Sequence, residues 1–246
     1  MQLENKLTIV TGAGRNIGAG IAVRFASEGA KVAVVDILEE RTVAVANEIN
    51  SIMPGAALPI RCDVTNGDDV QAMVAKVVAE WGHVDTLVNN VGVVDRRDIL
   101  HTPESEWNRV IAISLTSVFL VSKYVAQSMV DHGQGGRLIN ISSTSGHQGQ
   151  PNATAYPAAK AGALHLARSL AIQLAPHNIR VNSITPNRVL TEAEPGAPSR
   201  PTSVANLIGR QITPEDIAGA CVYLAGPDGE SLTGADIFVD GGVLAG

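Results

Sequence analysis

Short apolar runs rich in β-branched residues alternate with longer amphipathic stretches along almost the whole chain. Runs that are apolar on both faces are typical of strands in a parallel sheet that is covered on both sides. The alternation predicts repeated strand–helix–strand units, and so one domain over residues 1–246 with a doubly wound parallel sheet of about seven strands. The predicted strands are residues 6–11, 31–36, 57–63, 86–89, 137–142, 179–184 and 235–239. The predicted helices are residues 18–28, 39–52, 68–81, 104–129, 155–175 and 214–224.

The composition of the chain argues against several kinds of binding partner. The net charge of −6 leaves no general basic surface for a phosphate backbone, so nucleic acid is not expected. No unbroken run of eighteen apolar residues or signal peptide is found, so we expect a cytoplasmic protein without a membrane span. Cys62 and Cys221 are predicted to be buried, and the scattered histidines suggest no metal site.

The first predicted strand runs into the glycine-rich segment TGAGRNIG, residues 11–18. Ligands of doubly wound sheets bind beyond the carboxyl ends of the strands. Glycines at such a turn let the backbone approach a pyrophosphate, which then lies at the N-terminus of the following helix. The spacing differs from the common GxGxxG pattern, so this segment alone indicates either a dinucleotide site or merely a tight turn.

Asp36 ends the second predicted strand, where a carboxylate can accept hydrogen bonds from both hydroxyls of an adenosine ribose. The same charge repels a 2′-phosphate, so Asp36 favours NAD over NADP. Arg15 favours the opposite choice, because a guanidinium there can hold a 2′-phosphate. Asp36 could instead be a helix N-cap. Asp63 and Val64 are placed to meet the adenine, although Asp63 could equally cap the next helix.

Tyr156 and Lys160 in YPAAK are spaced i, i+4 near the start of a predicted helix, which places them on one face. An ammonium beside a phenol favours the phenolate and lowers its pKa, so Tyr156 can act as a general acid or base at a carbinol. Ser143 follows the strand that ends in NISS, where its hydroxyl could bond the same substrate oxygen or serve only as a turn residue.

These residues together resemble the short-chain dehydrogenase/reductase family along the whole chain. TGAGRNIG resembles the family's TGxxxGxG, NNVG at residues 89–92 resembles NNAG, and ISS with YPAAK resembles its Ser and YxxxK set. RVNSITPNRVLT and the DGG at residues 240–242 match two later family segments. The resemblance implies a Rossmann-type fold and a nicotinamide cofactor.

The resemblance also implies residue roles. Tyr156 is the acid/base, Lys160 lowers its pKa and holds the nicotinamide ribose, and Ser143 orients the substrate oxygen. Ser114 stands where the family carries a catalytic Asn, and is our fourth candidate catalytic residue. The predicted cofactor-binding residues are Gly12, Arg15, Asn16, Ile17, Gly18, Asp36, Ile37, Asp63, Val64, Asn90, Gly92, Tyr156, Lys160, Val189 and Thr191.

Three positions depart from the family pattern. Asn16 and Asn187 replace glycines, and Asn tolerates left-handed backbone angles. Ser114 is the more serious departure, because the family Asn helps to hold a water that relays protons from the Lys. A serine hydroxyl could alter that relay without removing it.

Substrate specificity is expected from residues 93–98, from residues 144–155 and from a lid at about residues 188–210 that contains a proline-rich stretch. The candidate substrate contacts are Val94, Ser143, His147, Asn152 and Tyr156, although the polar loop residues could simply face solvent.

The leading hypothesis is an NAD-dependent oxidoreductase that acts on a small secondary alcohol or ketone. The alternatives are a non-catalytic dinucleotide-binding sensor, suggested by Ser114, and an NADPH-dependent carbonyl reductase, suggested by Arg15. The resemblance further implies a homotetramer that packs through the two long apolar helices.

Overall fold

Within the described residues, seven parallel strands form a single sheet, and their order across the sheet, numbered along the chain, is 3-2-1-4-5-6-7. The computed structural model describes residues 1–190 and 206–245. The strands are β1 (Leu7–Thr11), β2 (Lys31–Asp36), β3 (Ala57–Arg61), β4 (Thr86–Asn89), β5 (Gly136–Ile141), β6 (Ile179–Pro186) and β7 (Asp236–Val239). The predicted doubly wound α/β fold with about seven strands is therefore confirmed.

Helices cover both faces of the sheet. They are α1 (Asn16–Ser27), α2 (Glu39–Ile52), α3 (Gly67–Trp81), α4 (Glu104–Ile111), α5 (Ser117–His132), α6 (Ala155–Leu174) and α7 (Pro214–Ala225). Helices α1, α2 and α7 share one buried apolar cluster, and α3, α5 and α6 share the other. Within β1, Val10 belongs to the first cluster and Ile9 to the second. Strands buried on both faces explain why the sequence shows continuous apolar runs.

Polar side chains fix where two of the helices, α3 and α7, begin. The Asn66 side chain accepts hydrogen bonds from the backbone N–H groups of Asp68 and Asp69, which caps α3. At α7, the Asp216 carboxylate accepts a bond from the Thr213 backbone N–H at 2.9 Å, as in a capping box. These local bonds set the helix entry points close to the positions that the sequence predicts.

The long helix predicted at residues 104–129 is interrupted. A π-helical turn, Ala112–Thr116, separates α4 from α5. Within the described residues, the stretch Glu104–His132 is long and apolar enough to span a membrane by length and composition, with a mean hydropathy of 1.6 in its most apolar window. Polar residues interrupt this stretch, so its sequence contains no unbroken run of eighteen apolar residues. That window is 44% buried within the fold, where α5 packs against α3 and the sheet.

Candidate active site

The neighbours of β1 are β2 on one side and β4 on the other, so the direction of the winding reverses between β1 and β4. Such a switch point leaves a crevice at the carboxyl ends of the strands. A cleft of about 610 Å³ lies there. Its lining includes most of the residues singled out in the sequence: Gly12, Arg15, Asn16, Ile17, Asp36, Ile37, Asp63, Val64, Asn90, Gly92, Val94, Ser143, Tyr156, Lys160 and Val189.

The turn after β1 is packed so closely that there is no room for side chains at its glycines. Gly12 has a φ of +60°. A Cβ on Gly18 would collide with the Gly12 carbonyl oxygen. Asn16 has a φ of +52°, so this departure from the family glycine keeps the left-handed backbone that the turn requires. The bare backbone at the start of α1 fits a pyrophosphate group.

Asn90 holds this turn against β4. Its side-chain Nδ2 donates to the carbonyl oxygens of Thr11 and Gly12, each at 3.1 Å, and its backbone N–H donates to Thr11 Oγ1 at 3.1 Å. The ends of β1 and β4 are therefore fixed relative to each other, and this gives the floor of the cleft a defined shape.

Asp36 lies at the end of the cleft where the sequence predicts the adenosine. Its Oδ2 accepts a bond from the Gly14 N–H and its Oδ1 from the Leu38 N–H, both at 3.2 Å. The N-cap residue of α2 is Leu38, so Asp36 is not the N-cap itself. Arg41, which the sequence analysis missed, lines the same region together with Arg15. Its position in the first turn of α2, five residues after Asp36, was the available signal.

Asp63 also lines the cleft and does not cap α3. Its Oδ1 accepts bonds from the Thr65 N–H at 2.9 Å and the Thr65 hydroxyl at 2.7 Å. Because Asn66 caps α3, the alternative role of Asp63 as the cap is wrong.

Ser143, Tyr156 and Lys160 meet in the opposite part of the cleft. Tyr156 is the second residue of α6 and Lys160 lies one turn later, with its Nζ 5.7 Å from the centre of the Tyr156 ring. Lys160 Nζ donates to the Ile141 carbonyl oxygen at 2.8 Å. Ser143 follows β5, and its hydroxyl accepts a bond from the Ser145 N–H at 3.2 Å.

Burial controls the protonation of this cluster. It raises the pKa of the Tyr156 phenol, and the nearby Ser143 hydroxyl offsets only part of that rise. It lowers the pKa of Lys160 to about 8. The predicted lowering of the phenol pKa by Lys160 is therefore not seen, since burial has the largest effect on this group and raises its pKa. At neutral pH Tyr156 is protonated and can donate a proton.

Ser114 lies behind the cleft wall and not in its lining. It is fully buried in the π-helical turn, where its hydroxyl donates to the Val93 carbonyl oxygen at 3.2 Å and accepts from the Val93 N–H at 3.0 Å. Both functions of the hydroxyl are thus used on the backbone. The hydroxyl therefore positions Val93, which does line the cleft, and the catalytic role of Ser114 stays a prediction.

Two predicted substrate contacts, His147 and Asn152, do not line the cleft. His147 Nε2 lies 2.8 Å from Asp236 Oδ2, which turns the imidazole toward β7. Asn152 is exposed on its loop outside the cleft. Thr191 and most of the predicted lid lie outside the described residues. Asn187 accepts a bond from the Thr144 hydroxyl at 3.2 Å without a left-handed backbone, so replacing the family glycine there causes no strain.

Comparisons with known proteins agree with this geometry. A family profile described as enoyl-(acyl carrier protein) reductase matches residues 12–244. Galactitol 2-dehydrogenase of Agrobacterium fabrum is 35% identical over 98% of this chain and 98% of its own. A short-chain type dehydrogenase/reductase from Mycobacterium marinum superposes with a TM-score of 0.90 at 36% identity, covering 100% of this chain and 97% of its own. A 3-ketoacyl-(acyl-carrier-protein) reductase from Brucella melitensis, solved with NADH, has a TM-score of 0.88 at 32% identity over 98% and 99% of the two chains.

Proposed function

This chain belongs to the short-chain dehydrogenase/reductase family of oxidoreductases, and we propose that it is an NAD-dependent enzyme that interconverts a secondary alcohol and its ketone. The observation that carries the proposal is the convergence of Ser143, Tyr156 and Lys160 in the cleft that begins at the Gly12 turn. A sensor that only bound a dinucleotide would have no chemical use for these three side chains together.

The cleft fits a dinucleotide because its turn excludes side chains at Gly12 and Gly18. In the proposed arrangement the turn and the start of α1 hold the pyrophosphate, Asp36 accepts bonds from the adenosine ribose, and Lys160 holds the nicotinamide ribose. When bound, the nicotinamide supplies the hydride acceptor or donor. A cofactor held there would direct its reactive end toward Tyr156.

Tyr156 performs the proton transfer in this proposal. In the reducing direction, the substrate carbonyl carbon receives the hydride while its oxygen takes the proton of the Tyr156 hydroxyl, which gives the alcohol and a phenolate. The phenol is protonated at neutral pH, so it carries the proton that the reducing direction needs. The Ser143 hydroxyl bonds the same substrate oxygen and orients it. In the oxidising direction the phenolate takes the hydroxyl proton back.

A second candidate, an NADPH-dependent carbonyl reductase, is favoured by one specific observation. Arg15 and Arg41 line the cleft beside Asp36, and guanidinium groups hold phosphate well. We propose NAD because Asp36 is fixed at the site by its bonds from the Gly14 and Leu38 N–H groups. A carboxylate fixed there would repel a 2′-phosphate.

The first experiment is calorimetry of NADH against NADPH, followed by turnover assays with NAD. The panel contains polyols, simple secondary alcohols and 3-hydroxyacyl thioesters. Polyols and thioesters are included because the similar proteins include a galactitol 2-dehydrogenase and a 3-oxoacyl-(acyl-carrier-protein) reductase. We expect tight NADH binding and turnover of at least one panel member. Tyr156→Phe should reduce kcat by roughly 10²- to 10⁴-fold while NADH still binds. NADH binding without turnover of any substrate in either direction would favour the sensor, and tighter binding of NADPH would favour the second candidate.

We propose in addition that the protein is a homotetramer. Phe119 on α5 and Ile172 on α6 are 47% and 78% exposed, which leaves large apolar side chains on two long helices. Light scattering coupled to size-exclusion chromatography should give about four times the protomer mass of 25.6 kDa. A mass near one protomer would contradict this proposal.

A further inference from the structure

Asp95 lies in the segment between β4 and α4, among polar loop residues that the sequence analysis assigned to substrate binding or to solvent. The structure places it differently. Its side chain is buried, with 1% of the residue exposed, whereas its neighbours Val94 and Arg96 are exposed. A buried carboxylate in an exposed loop requires hydrogen-bond partners that compensate for its desolvation.

Those partners are the backbone N–H groups at the start of α6. Asp95 Oδ2 accepts from Thr154 at 2.7 Å and from Ala155 at 2.9 Å, and Oδ1 accepts from Tyr156 at 2.9 Å. The residues that bond are 59 to 61 positions apart in the chain. The bond to the Tyr156 N–H fixes the backbone of the residue that carries the proposed acid/base.

Helix α6 has no cap of its own that could replace these bonds. The first N–H groups of a helix lack intrahelical partners, and the Thr154 side chain at the N-cap position makes no capping bond. A carboxylate at this end also interacts favourably with the helix dipole. Burial opposes ionisation of Asp95, but the three backbone donors outweigh it and hold its pKa below the usual range. The group is therefore a charged acceptor at neutral pH.

The same segment is anchored a second time, two residues earlier. Ser114 holds the backbone of Val93 through both its N–H and its carbonyl oxygen. Val94, which lines the cleft, thus lies between a residue tied to the π-helical turn and a residue tied to α6. The substrate side of the cleft and Tyr156 are consequently connected through one short stretch of chain.

We propose that Asp95 is a positioning residue for Tyr156: its carboxylate anchors the first turn of α6, so that the phenol, the Ser143 hydroxyl and Val94 keep the spacing that proton transfer needs. The proposal rests on the proposed oxidoreductase function. If Asp95 has this role, loss of its carboxylate lowers kcat per active site even in protein that still binds NADH.

The test compares Asp95→Asn and Asp95→Ala with wild type. Asn retains one acceptor oxygen and Ala retains none, so the two variants grade the loss. The matched control is Asp85→Asn. Asp85 also accepts a bond from a backbone N–H, that of Leu7 at 2.9 Å, but it lies at the amino ends of the strands, away from the cleft. For each protein, kcat and KM are measured, NADH-binding stoichiometry counts the intact sites, and hydrogen exchange is followed for residues 154–156.

We expect kcat per NADH-binding site to fall at least tenfold in Asp95→Asn and further in Asp95→Ala, with the Kd for NADH changed less than threefold. Amide exchange at residues 154–156 should accelerate at least tenfold in both. Asp85→Asn should keep kcat per site within twofold of wild type even where its Tm falls. If Asp95→Ala does not fold, the Asn variant alone decides the comparison.

Three results would overturn the proposal: kcat per site within twofold of wild type in the Asp95 variants, a loss of activity that matches the loss of NADH-binding sites, or unchanged exchange at residues 154–156. Failure of the proposed function is distinguishable from these results. In that case wild-type protein itself turns over no substrate, whereas failure of the positioning role leaves wild-type turnover intact.

Discussion

Replacing the buried Lys160 by Met should make the stability of the protein depend less on alkaline pH. Lys160 is 3% exposed, and burial lowers its pKa from 10.5 to about 8. Below pH 8 the lysine is charged in both the folded and the unfolded states, so the folded state bears the full desolvation cost. A shift of this size corresponds to about 3 kcal/mol.

The sign follows from proton binding. Between about pH 8 and pH 10.5 the unfolded chain holds a proton that folded Lys160 has released, so the free energy of unfolding of wild type gains a contribution that rises with pH. Lys160→Met lacks this contribution. Relative to wild type, the variant should therefore lose about 2 to 3 kcal/mol between pH 7 and pH 10. At pH 7 the substitution has two opposite effects on the free energy of unfolding. Removal of the buried charge raises it, whereas the Ile141 carbonyl loses its hydrogen-bond donor, which costs about 1–3 kcal/mol.

The assay is urea denaturation of both proteins at several pH values from 7 to 10. Lys76→Met is the matched control, because Lys76 is exposed and also reaches a backbone carbonyl, that of Pro59 at 3.5 Å. The difference between wild type and Lys76→Met should stay nearly constant over this range. A constant difference for Lys160→Met as well would refute the argument, since it would show that Lys160 titrates at the same pH in the folded and unfolded states.

Three further substitutions test the cleft. Asp36→Ala should raise the preference for NADP over NAD on the order of tenfold or more by removing a charge that repels the 2′-phosphate; steady-state kinetics with both cofactors would show no change if Asp36 is uninvolved. Gly18→Ala should weaken NADH binding at least tenfold, because its Cβ would collide with the Gly12 carbonyl oxygen. Calorimetry measures this against Gly219→Ala in α7, whose Cβ meets nothing within 4 Å. Ser114→Ala leaves the Val93 N–H without its partner and should destabilise the fold by about 1–3 kcal/mol in urea denaturation; an unchanged midpoint would contradict the positioning of Val93 by this hydroxyl.

Local pattern was sufficient for the fold because each strand carries its own signal. β4 was predicted with the bounds Thr86–Asn89 that the structure has, and α2 with Glu39–Ile52. Errors of one to three residues arose at element ends, where hydrogen bonding and not apolarity sets the limit. For example, β6 continues to Pro186, since its pairing with β7 extends that far. The π-helical turn was missed because its residues are as apolar as those of an α-helix.

The residues of the site likewise fall into two groups: those whose role follows from local sequence and those whose role depends on distant contacts. Asn16 could be interpreted from its own backbone preference, and the structure gives it the left-handed φ that the sequence argument requires. Asp95 and His147 could not, because what decides their roles is a partner far away in the chain. Asp95 bonds the start of α6, and His147 bonds Asp236, 89 positions away. The sequence of a polar loop does not indicate which distant residue each side chain will contact.

The protonation state of the catalytic cluster shows why spacing alone does not give chemistry. The i, i+4 spacing correctly places Lys160 near Tyr156, with Nζ 5.7 Å from the ring centre. The inferred drop in the phenol pKa assumed a partly solvated pair, in which the charge of the ammonium dominates. The folded chain instead buries both groups, so desolvation raises the pKa of Tyr156 and lowers that of Lys160. Burial depends on how the strands and helices assemble, so the direction in which these two pKa values move is not contained in the spacing of the residues.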